Sequence, residues 1–186
     1  MVIIGITGTL GAGKGTIVEY LVSEKGYRHY SVRAFLIQEI ERRGLPVNRD
    51  SMTSVANELR SRYSPSYVTD CLYEEALRNG YSCVIESIRT PGEIASLRQK
   101  DKFYLFAVDA DPLLRYQRIS LRKSETDAVS YDTFRANEAR EMNSDDPNKQ
   151  NLSECIRQAD FVFLNNGSLD DLHRQVENTL QSIEKQ

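Results

Sequence analysis

The sequence has few cysteines and no excess of positive charge, and each absence excludes a class of protein. Cys71, Cys83 and Cys155 are far apart and form no CxxC pair, which argues against a zinc site or a disulfide framework. We therefore expect buried free thiols in a reducing compartment. The net charge of −3 and the pI near 5.5 argue against binding to nucleic acid or acidic lipid through bulk charge.

Long apolar runs and flexible linkers are also missing. The longest purely apolar run, 103–108, is far too short to cross a membrane. The apolar residues 1–6 lack a basic leader and a cleavage site, so we expect a first strand there and not a signal peptide. No repeat or low-complexity segment divides the 186 residues. We expect one cytoplasmic domain, residues 1–186, that acts without nucleic acid or membrane as a monomer or homodimer.

Short apolar segments alternate with helical patterns along the chain. The predicted strands are Val2–Thr7, Tyr27–Ser31, Tyr81–Glu86, Phe103–Asp109 and Asp160–Leu164. This alternation predicts an α/β fold in which helices cover both faces of a parallel sheet. Ligands of such sheets bind beyond the carboxyl ends of the strands, so the polar segments after each strand are the candidate site.

A glycine-rich loop lies between the first predicted strand and a helix that begins at about Lys14. Glycines let successive backbone N–H groups point inward around an anion, and the positive end of the helix faces the same point. The Lys14 side chain adds a full charge, and the Thr16 hydroxyl can reach Mg²⁺. The loop is therefore predicted to bind the phosphates of a nucleoside triphosphate through Gly8, Thr9, Gly11, Ala12, Gly13, Lys14, Gly15 and Thr16. The residue after Lys14 is Gly15, where Ser or Thr is more common.

Charged side chains follow two of the predicted strands. Glu86 ends one strand, where a carboxylate can hold Mg²⁺ opposite Thr16. Arg89 lies three residues later, and its fork of donors suits a phosphate. Arg33 begins a helix, where a cation opposes the helix dipole and a bound acceptor phosphate would compensate for it. The alternatives are an ordinary strand-end acid, an exposed ion-paired arginine and a solvated helix charge.

Three arginines, Arg115, Arg118 and Arg122, have the spacing of one helix face. Like charges on one face repel, so we expect a lid that meets the triphosphate, with contributions from Lys123 and Arg135. A solvated basic face is the alternative. His29 and His173 stand apart from any acid or thiol at a telling spacing, and we expect structural or surface roles for both.

These motifs resemble those of adenylate kinases and related nucleoside monophosphate kinases. The ending Gly-Lys-Gly-Thr of the loop and the segment Glu86–Thr90 carry the likeness, together with the placement of Arg33. Leu10 stands where adenylate kinases usually carry proline, and Glu86 replaces their aspartate with one residue fewer before the arginine. The segment Ala159–Leu169 resembles the last strand and loop of dephospho-CoA kinases, a loop that lies near the ATP base.

The resemblance implies a three-layer P-loop NTPase fold with five parallel strands and a small helical lid at about 111–143. It implies acceptor-binding helices at about 31–80, with ATP and Mg²⁺ as cofactors. Lys14, Arg89, Arg118 and Arg122 would be catalytic, and Arg115, Asn166 and Gly167 would bind ATP. Arg33, Glu86 and Arg89 would bind the acceptor, and Thr16 and Glu86 the metal.

The acceptor side favours a phosphate over a hydroxyl. A hydroxyl acceptor must lose a proton to a nearby carboxylate, whereas a phosphate needs cations for positioning. After the second strand the chain reads Ser31-Val32-Arg33, with no acid. This favours a small-molecule acceptor, a ribo- or deoxynucleoside monophosphate. Two alternatives stay open: a dephospho-CoA kinase in which Glu86 is the base, and a non-catalytic nucleotide sensor.

Overall fold

The computed structural model describes residues 1–100, 102–122 and 129–185 of the chain. Within these residues five strands form one sheet. They are β1 (Val2–Gly8), β2 (Arg28–Ser31), β3 (Cys83–Glu86), β4 (Lys102–Asp109) and β5 (Phe161–Leu164). Each lies within about two residues of a predicted strand, and the strongest apolar runs, in β1, β3 and β4, are the most buried.

The strands are all parallel and follow the order β2-β3-β1-β4-β5. Strand β1 is therefore central, with Gly5 opposite Ile85 of β3 and Leu105 of β4. The carboxyl ends of β1 and β3 lie side by side, since Ile6 is in register with Glu86. This register places the loop after β1 next to the segment after β3.

Nine helices occupy the described part of the chain, and most of them connect one strand to the next. They are α1 (Lys14–Ser23), α2 (Val32–Arg42), α3 (Arg49–Arg62), α4 (Tyr67–Asn79), α5 (Pro91–Arg98), α6 (Pro112–Arg122), α7 (Tyr131–Met142), α8 (Leu152–Arg157) and α9 (Leu169–Glu184). Helices α2 to α4 fall within 31–80, and α6 and α7 within 111–143. The division into acceptor and lid regions stays a prediction.

Local sequence accounts for several helix ends. Thr90 and Glu93 form a capping box with proline at the first position of α5, as their spacing predicts. Ser168 and Asp171 form a second capping box, at the start of α9. Because these signals depend only on residues three positions apart, they can be recognised in the sequence without knowledge of the fold.

Buried side chains on the two faces of the sheet form two cores. Ile3, Cys83, Ile85 and Leu105 belong to a core shared with helices α2 to α5 and α8. The alternate residues of the same strands face a second core, shared with α1 and α9, that contains Ile4, Ile6, Val84, Phe106 and Val108. Alternation in the strands thus covers both faces, which confirms the predicted α/β fold with a parallel sheet between helical layers. None of the described helices has the length and apolarity that crossing a membrane requires.

Candidate active site

Three glycines, at the end of β1 and in the loop that leads to α1, have backbone conformations that L side chains rarely adopt. The angle φ is 138° at Gly8, 78° at Gly11 and 113° at Gly13. A Cβ at Gly8 would lie 2.1 Å from the carbonyl oxygen of Val108. A Cβ at Gly13 would lie 2.4 Å from Asn165 Nδ2. The curl of this loop therefore requires glycine for both its torsion angles and its close packing.

Position 15 requires glycine for neither reason. The φ of Gly15 is not in the left-handed region, and no atom lies within 4 Å of an added Cβ. It is exposed in the first turn of α1, beside the half-buried Thr16. The first turn of a helix presents N–H groups without intrahelical partners, which favour an anion. The space above Gly15 is thus open where a phosphate would approach the helix.

The Lys14 ammonium is held by main-chain oxygens of the same loop. Its Nζ donates hydrogen bonds of 2.8 Å to the carbonyls of Gly8 and Thr9. Burial lowers the pKa of Lys14 to about 7, and the positive charge of Arg89 acts in the same direction. The described residues form no salt bridge with it within 4 Å.

Charges from four separate segments act on Lys14. Arg89 and Arg122 lower its pKa, whereas Glu86 and Glu141 raise it. Arg122 ends α6, Glu86 ends β3, and Glu141 lies near the end of α7. Three of the predicted site residues, Arg89, Arg122 and Glu86, are therefore brought into electrostatic range of the loop lysine.

Glu86 is fixed by two residues of the neighbouring strand. Its Oε1 accepts a 2.8 Å hydrogen bond from Ser31 Oγ and lies 3.7 Å from His29 Nε2. Burial raises the pKa of Glu86, but the contacts with His29 and Ser31 and the charge of Lys14 outweigh it and hold the pKa below its ordinary value. No acid lies near His29 in the sequence, and it is the fold that brings His29 to Glu86. The strand register explains the pair, because Ser31 lies opposite Glu86 and His29 projects from the same face two residues earlier. His173, the other histidine, stacks on Tyr20 with ring centroids 4.6 Å apart.

The chain turns sharply between Glu86 and Arg89. Ser87 has φ of 66°, the one positive φ among described residues other than glycine. Arg89 is then held at its backbone, where its N–H donates to Glu93 Oε2 at 2.7 Å and its carbonyl accepts from Asn151 N at 2.8 Å. A left-handed serine is strained, and such strain is common where a chain must aim a functional side chain.

The Arg89 side chain meets residues that sequence reasoning missed. Its Nη1 donates to Glu141 Oε2 at 2.7 Å and to Gln150 Oε1 at 2.8 Å. The other carboxylate oxygen of Glu141 accepts a hydrogen bond from Arg49 Nη2. Burial raises the pKa of Glu141, but the charges and hydrogen bonds of Arg89 and Arg49 hold it below its ordinary value. Glu141 is therefore a buried anion between two arginines.

A small cleft of about 190 Å³ opens beside Gly13 and Thr16. Arg118, Asn165, Gly167 and two leucines complete its lining. Arg118 Nη2 donates to the carbonyl of Asn165 at 2.9 Å, whereas its Nη1 is buried without a hydrogen-bond partner. A buried donor without a partner is costly, so this atom marks a position where a ligand oxygen or nitrogen would be favourable.

The loop after β5 is tied to the glycine-rich loop. Asn165 Nδ2 donates to the carbonyl of Ala12 at 2.8 Å, and its own N–H donates to the carbonyl of Asp109 at 2.8 Å. Asn166 is exposed, and its Oδ1 accepts from Asp111 N at 2.8 Å. Asn165, which links both loops, was not singled out from the sequence.

Arg115 and Arg33 differ from what their positions in the sequence suggested. Arg115 is buried behind the loop instead of lying on an open basic face. Its guanidinium donates to Leu10 O and to Ala110 O and forms a salt bridge with Glu138 of α7. The anion paired with Arg115 is therefore a side chain of the protein itself, Glu138. Arg33 is exposed and donates to Met52 Sδ at 3.4 Å, so its contact lies with α3.

Arg135 and Lys123 are the other two cations that were expected to contribute to the predicted lid. Arg135 pairs with Glu138 at 3.2 Å in α7. Lys123 lies outside the described residues. Within the described residues no group of three His, Cys, Asp or Glu side chains has the arrangement of a metal site. A metal here would therefore depend on few protein ligands, as Mg²⁺ does when substrate phosphates complete its shell.

Comparison with known proteins agrees with this architecture. The model of the AAA domain family matches residues 4–143. The UPF0200 protein MJ1399 of Methanocaldococcus jannaschii is 29% identical over 186 residues, which cover 98% of this chain and 91% of that protein. Among solved structures, TT1252 from Thermus thermophilus is 23% identical with a TM-score of 0.64, and 97% of each chain is covered.

A dephospho-CoA kinase from Campylobacter jejuni is 14% identical with a TM-score of 0.57, over 100% of this chain and 98% of that one. At such low identity the likeness concerns the fold alone, which this chain shares with structures of dephospho-CoA kinase and shikimate kinase. The family match covers most of the chain, including the glycine-rich loop, Glu86, Arg89 and helices α6 and α7. The chain therefore belongs to the AAA domain family.

Proposed function

We propose that this protein transfers a phosphoryl group from ATP to a small nucleotide, with a ribo- or deoxynucleoside monophosphate as the acceptor. The observation that carries the proposal is the setting of Lys14. Its ammonium lies in a loop of left-handed glycines, held by two carbonyls at 2.8 Å, with Arg89, Arg122 and Glu86 acting on its charge. Two arginines act on this site and the lysine lacks a salt-bridge partner among the described residues, so an incoming polyanion would be stabilised there.

Three features of the site fit ATP. Gly15 leaves the first turn of α1 open. Arg118 has a buried Nη1 that needs an acceptor, and it lines the cleft beside Thr16. Gly167 lines the same cleft, from the loop that resemblance associates with the ATP base. The residues proposed to hold ATP are therefore the loop 8–16, Arg118 and the 165–167 segment.

Thr16 and Glu86 are the residues proposed to hold Mg²⁺. Glu86 is suited to this because its pKa is held below the ordinary value, so the carboxylate stays charged near neutral pH. Its Oε2 accepts no hydrogen bond from the described residues. Mg²⁺ bound to ATP would supply neutralisation of phosphate charge.

The arginines and Lys14 would provide the rest of the chemistry by charge. Lys14 binds the transferred group on the ATP side, and Arg122 adds positive charge at the same point. Arg89, fixed through its backbone by Glu93 and Asn151, orients the acceptor. A phosphate acceptor is already an anion, so no side chain has to remove a proton for the transfer.

A hydroxyl acceptor is the second candidate, and it is favoured by the Oε2 of Glu86, which accepts no hydrogen bond from the described residues. That oxygen would take the proton of an attacking hydroxyl, as a dephospho-CoA kinase requires. Against this, a carboxylate whose pKa lies below its ordinary value is a weak base. We therefore place the monophosphate first.

An acceptor panel tests the proposal. The protein is incubated with Mg-ATP and with ribonucleoside monophosphates, deoxynucleoside monophosphates or dephospho-CoA, and ADP is measured with Lys14→Ala as control. We expect one class of monophosphate to stimulate ADP formation, and Lys14→Ala to reduce the rate by at least ~10²-fold, the scale for one transition-state donor. Stimulation by dephospho-CoA alone would support the second candidate. ATP binding without stimulation by any acceptor would favour a nucleotide sensor and overturn the proposal.

A further inference from the structure

One buried cluster, formed by Arg49, Arg89 and Glu141, is not explained by the ATP side of the site. Glu141 accepts hydrogen bonds on both carboxylate oxygens, from Arg49 on one and from Arg89 on the other. The three residues come from α3, the segment after β3 and α7. The Glu141 side chain is 6% exposed and each arginine side chain 21%. We call Arg49 and Arg89 the arginine clamp.

The arginine clamp has more positive charge and more donors than one carboxylate satisfies. Two guanidinium groups face a single negative charge, and the neighbouring Lys14 is affected by both Arg89 and Glu141. Arg49 Nε is buried without a hydrogen-bond partner. A phosphate monoester has up to two negative charges and three acceptor oxygens, so it matches the clamp better than Glu141 does.

The position of Arg49 in its helix supports the same reading. It is the first residue of α3, after the cap Asn48, where the helix dipole disfavours a cation. An anion beside Arg49 removes that penalty, and Glu141 is the anion present. Arg33, by contrast, is exposed and contacts Met52, so it is not part of the clamp.

We infer that the arginine clamp is the binding site for the acceptor's phosphate and that the Glu141 carboxylate is an internal competitor for it. The inference rests on the proposed function for the identity of the ligand. When the phosphate binds, Glu141 leaves the two guanidinium groups and the phosphate oxygens take its place. The protein thus carries, on α7, a side chain that weakens the binding of phosphate and keeps the empty clamp electrostatically paired.

Inorganic phosphate is the first probe, and its binding is measured by calorimetry without ATP. Because phosphate also suits the glycine-rich loop, the measurement is made in a Lys14→Met background as well as in the unaltered protein. We expect Glu141→Gln to bind phosphate at least about tenfold more tightly in both backgrounds, since two charge-assisted partners are released. Arg49→Gln should weaken binding by about the same factor, and the double variant should lose the gain.

Asp50→Asn is the matched control. It removes an acidic charge one residue from Arg49, but the Asp50 side chain is 87% exposed and pairs with Arg140 at 3.6 Å. Phosphate affinity should change less than about twofold, because exposed charges are screened by solvent. An equal gain from Asp50→Asn and Glu141→Gln would overturn the inference, since general electrostatics would explain both. Unchanged affinity in Glu141→Gln would overturn it too.

A measurement on the unaltered protein covers the case in which Glu141→Gln does not fold. Phosphate is titrated while the side-chain ¹⁵N resonances of the arginines and the backbone amide resonances of residues 8–16 are followed by NMR. We expect the resonances of Arg49 and Arg89 to shift together with the same apparent affinity. Shifts confined to residues 8–16 would show that phosphate does not bind to the arginine clamp, and the inference would fail.

The acceptor panel separates this inference from the proposed function. With a monophosphate acceptor, Glu141→Gln should lower the KM for the acceptor at least about threefold, whereas the KM for ATP should not fall, because loss of the Glu141 charge disfavours the charged form of Lys14. Normal phosphoryl transfer with an unchanged acceptor KM would retain the kinase and reject the role of Glu141. Phosphate binding at the clamp with no transfer to any acceptor would reject the kinase and retain the anion site. AMP and adenosine as binding probes distinguish a nucleotide phosphate from free phosphate.

Discussion

Arg115 donates a hydrogen bond of 3.2 Å to the carbonyl oxygen of Leu10, so a buried side chain of α6 supports the glycine-rich loop from behind. The same guanidinium donates to Ala110 O at 2.8 Å and pairs with Glu138. The contacts connect helices α6 and α7 to the loop. Because the arginine side chain is only 4% exposed, its charge depends on these partners.

Arg115→Met should destabilise the protein by about 3 kcal/mol, since it leaves the carboxylate of Glu138 largely buried with the partly exposed Arg135 as its remaining partner. Urea unfolding measures the loss. Arg135→Met is the matched control, and its loss should stay within about 0.5 kcal/mol because Arg135 is half exposed. Adding Glu138→Leu to Arg115→Met should recover part of the loss. Equal losses from Arg115→Met and Arg135→Met would contradict the role of Arg115 as a buried support.

Two glycines of the loop should respond differently to alanine. Gly13→Ala places a Cβ 2.4 Å from Asn165 Nδ2 at a φ of 113°, so we expect a loss of about 2 kcal/mol. Gly15→Ala enters open space inside a helix, where alanine is favoured, so stability should be equal or up to ~1 kcal/mol higher. Thermal unfolding compares the two variants.

Gly15→Ala also separates packing from ligand binding. If ATP phosphates approach this first turn, the variant should stay folded yet bind ATP at least about tenfold more weakly. Unchanged ATP affinity in a stable Gly15→Ala protein would place the phosphates elsewhere.

Much of the fold was predictable because its signals are local. The glycine-rich loop, the strand positions and the caps at Thr90 and Ser168 each depend on residues within a few positions of one another. The order of the strands was not predicted, so the pairing of His29 and Glu86 was not predicted either. That pair becomes visible only when β2 and β3 are known to be neighbours in register.

The arginine clamp was missed for a related reason. Arg49 and Glu141 are 92 residues apart, and no spacing rule joins them. One signal was nevertheless present, because a cation at a helix start calls for an anion. That argument was applied to Arg33, whose helix start was predicted, and not to Arg49, because the start of α3 was not located within the predicted helical region 31–80.

Binding of ADP should be accompanied by proton uptake at Lys14. Burial and Arg89 lower the pKa of Lys14 from 10.5 to about 7 in the free protein, so the amine is mostly neutral at pH 8. A bound phosphate favours the ammonium form, and binding at pH 8 should therefore take up roughly one proton. Calorimetry in buffers of different ionisation enthalpy measures this number. The uptake should shrink near pH 6 and be absent in Lys14→Met; equal uptake in that variant would assign it to another group.

Lys14→Met should also raise the stability of the folded protein. The pKa of Lys14 is lower in the folded state than in the unfolded chain, so the unfolded chain binds more protons between pH 7 and pH 10.5. The stability of the unaltered protein relative to Lys14→Met therefore rises with pH in that window. The excess stability of the variant should be largest at or below pH 7 and decrease towards pH 10, as measured by urea unfolding across the range. An excess that is independent of pH would mean that the lysine charge is not the cause.

Glu86→Gln should weaken the use of Mg²⁺ while the fold is retained. The amide oxygen still accepts the hydrogen bond from Ser31, but the negative charge that a metal needs is lost. We expect turnover to fall about 10²-fold and the Mg²⁺ concentration for half-maximal turnover to rise. His29→Gln is the matched control, because it removes the 3.7 Å partner and leaves both the carboxylate and Ser31 in place. Its effect should stay below about tenfold. A Glu86→Gln protein with reduced turnover and an unchanged Mg²⁺ requirement would indicate that Glu86 acts as a base, and would favour a hydroxyl acceptor over a phosphate.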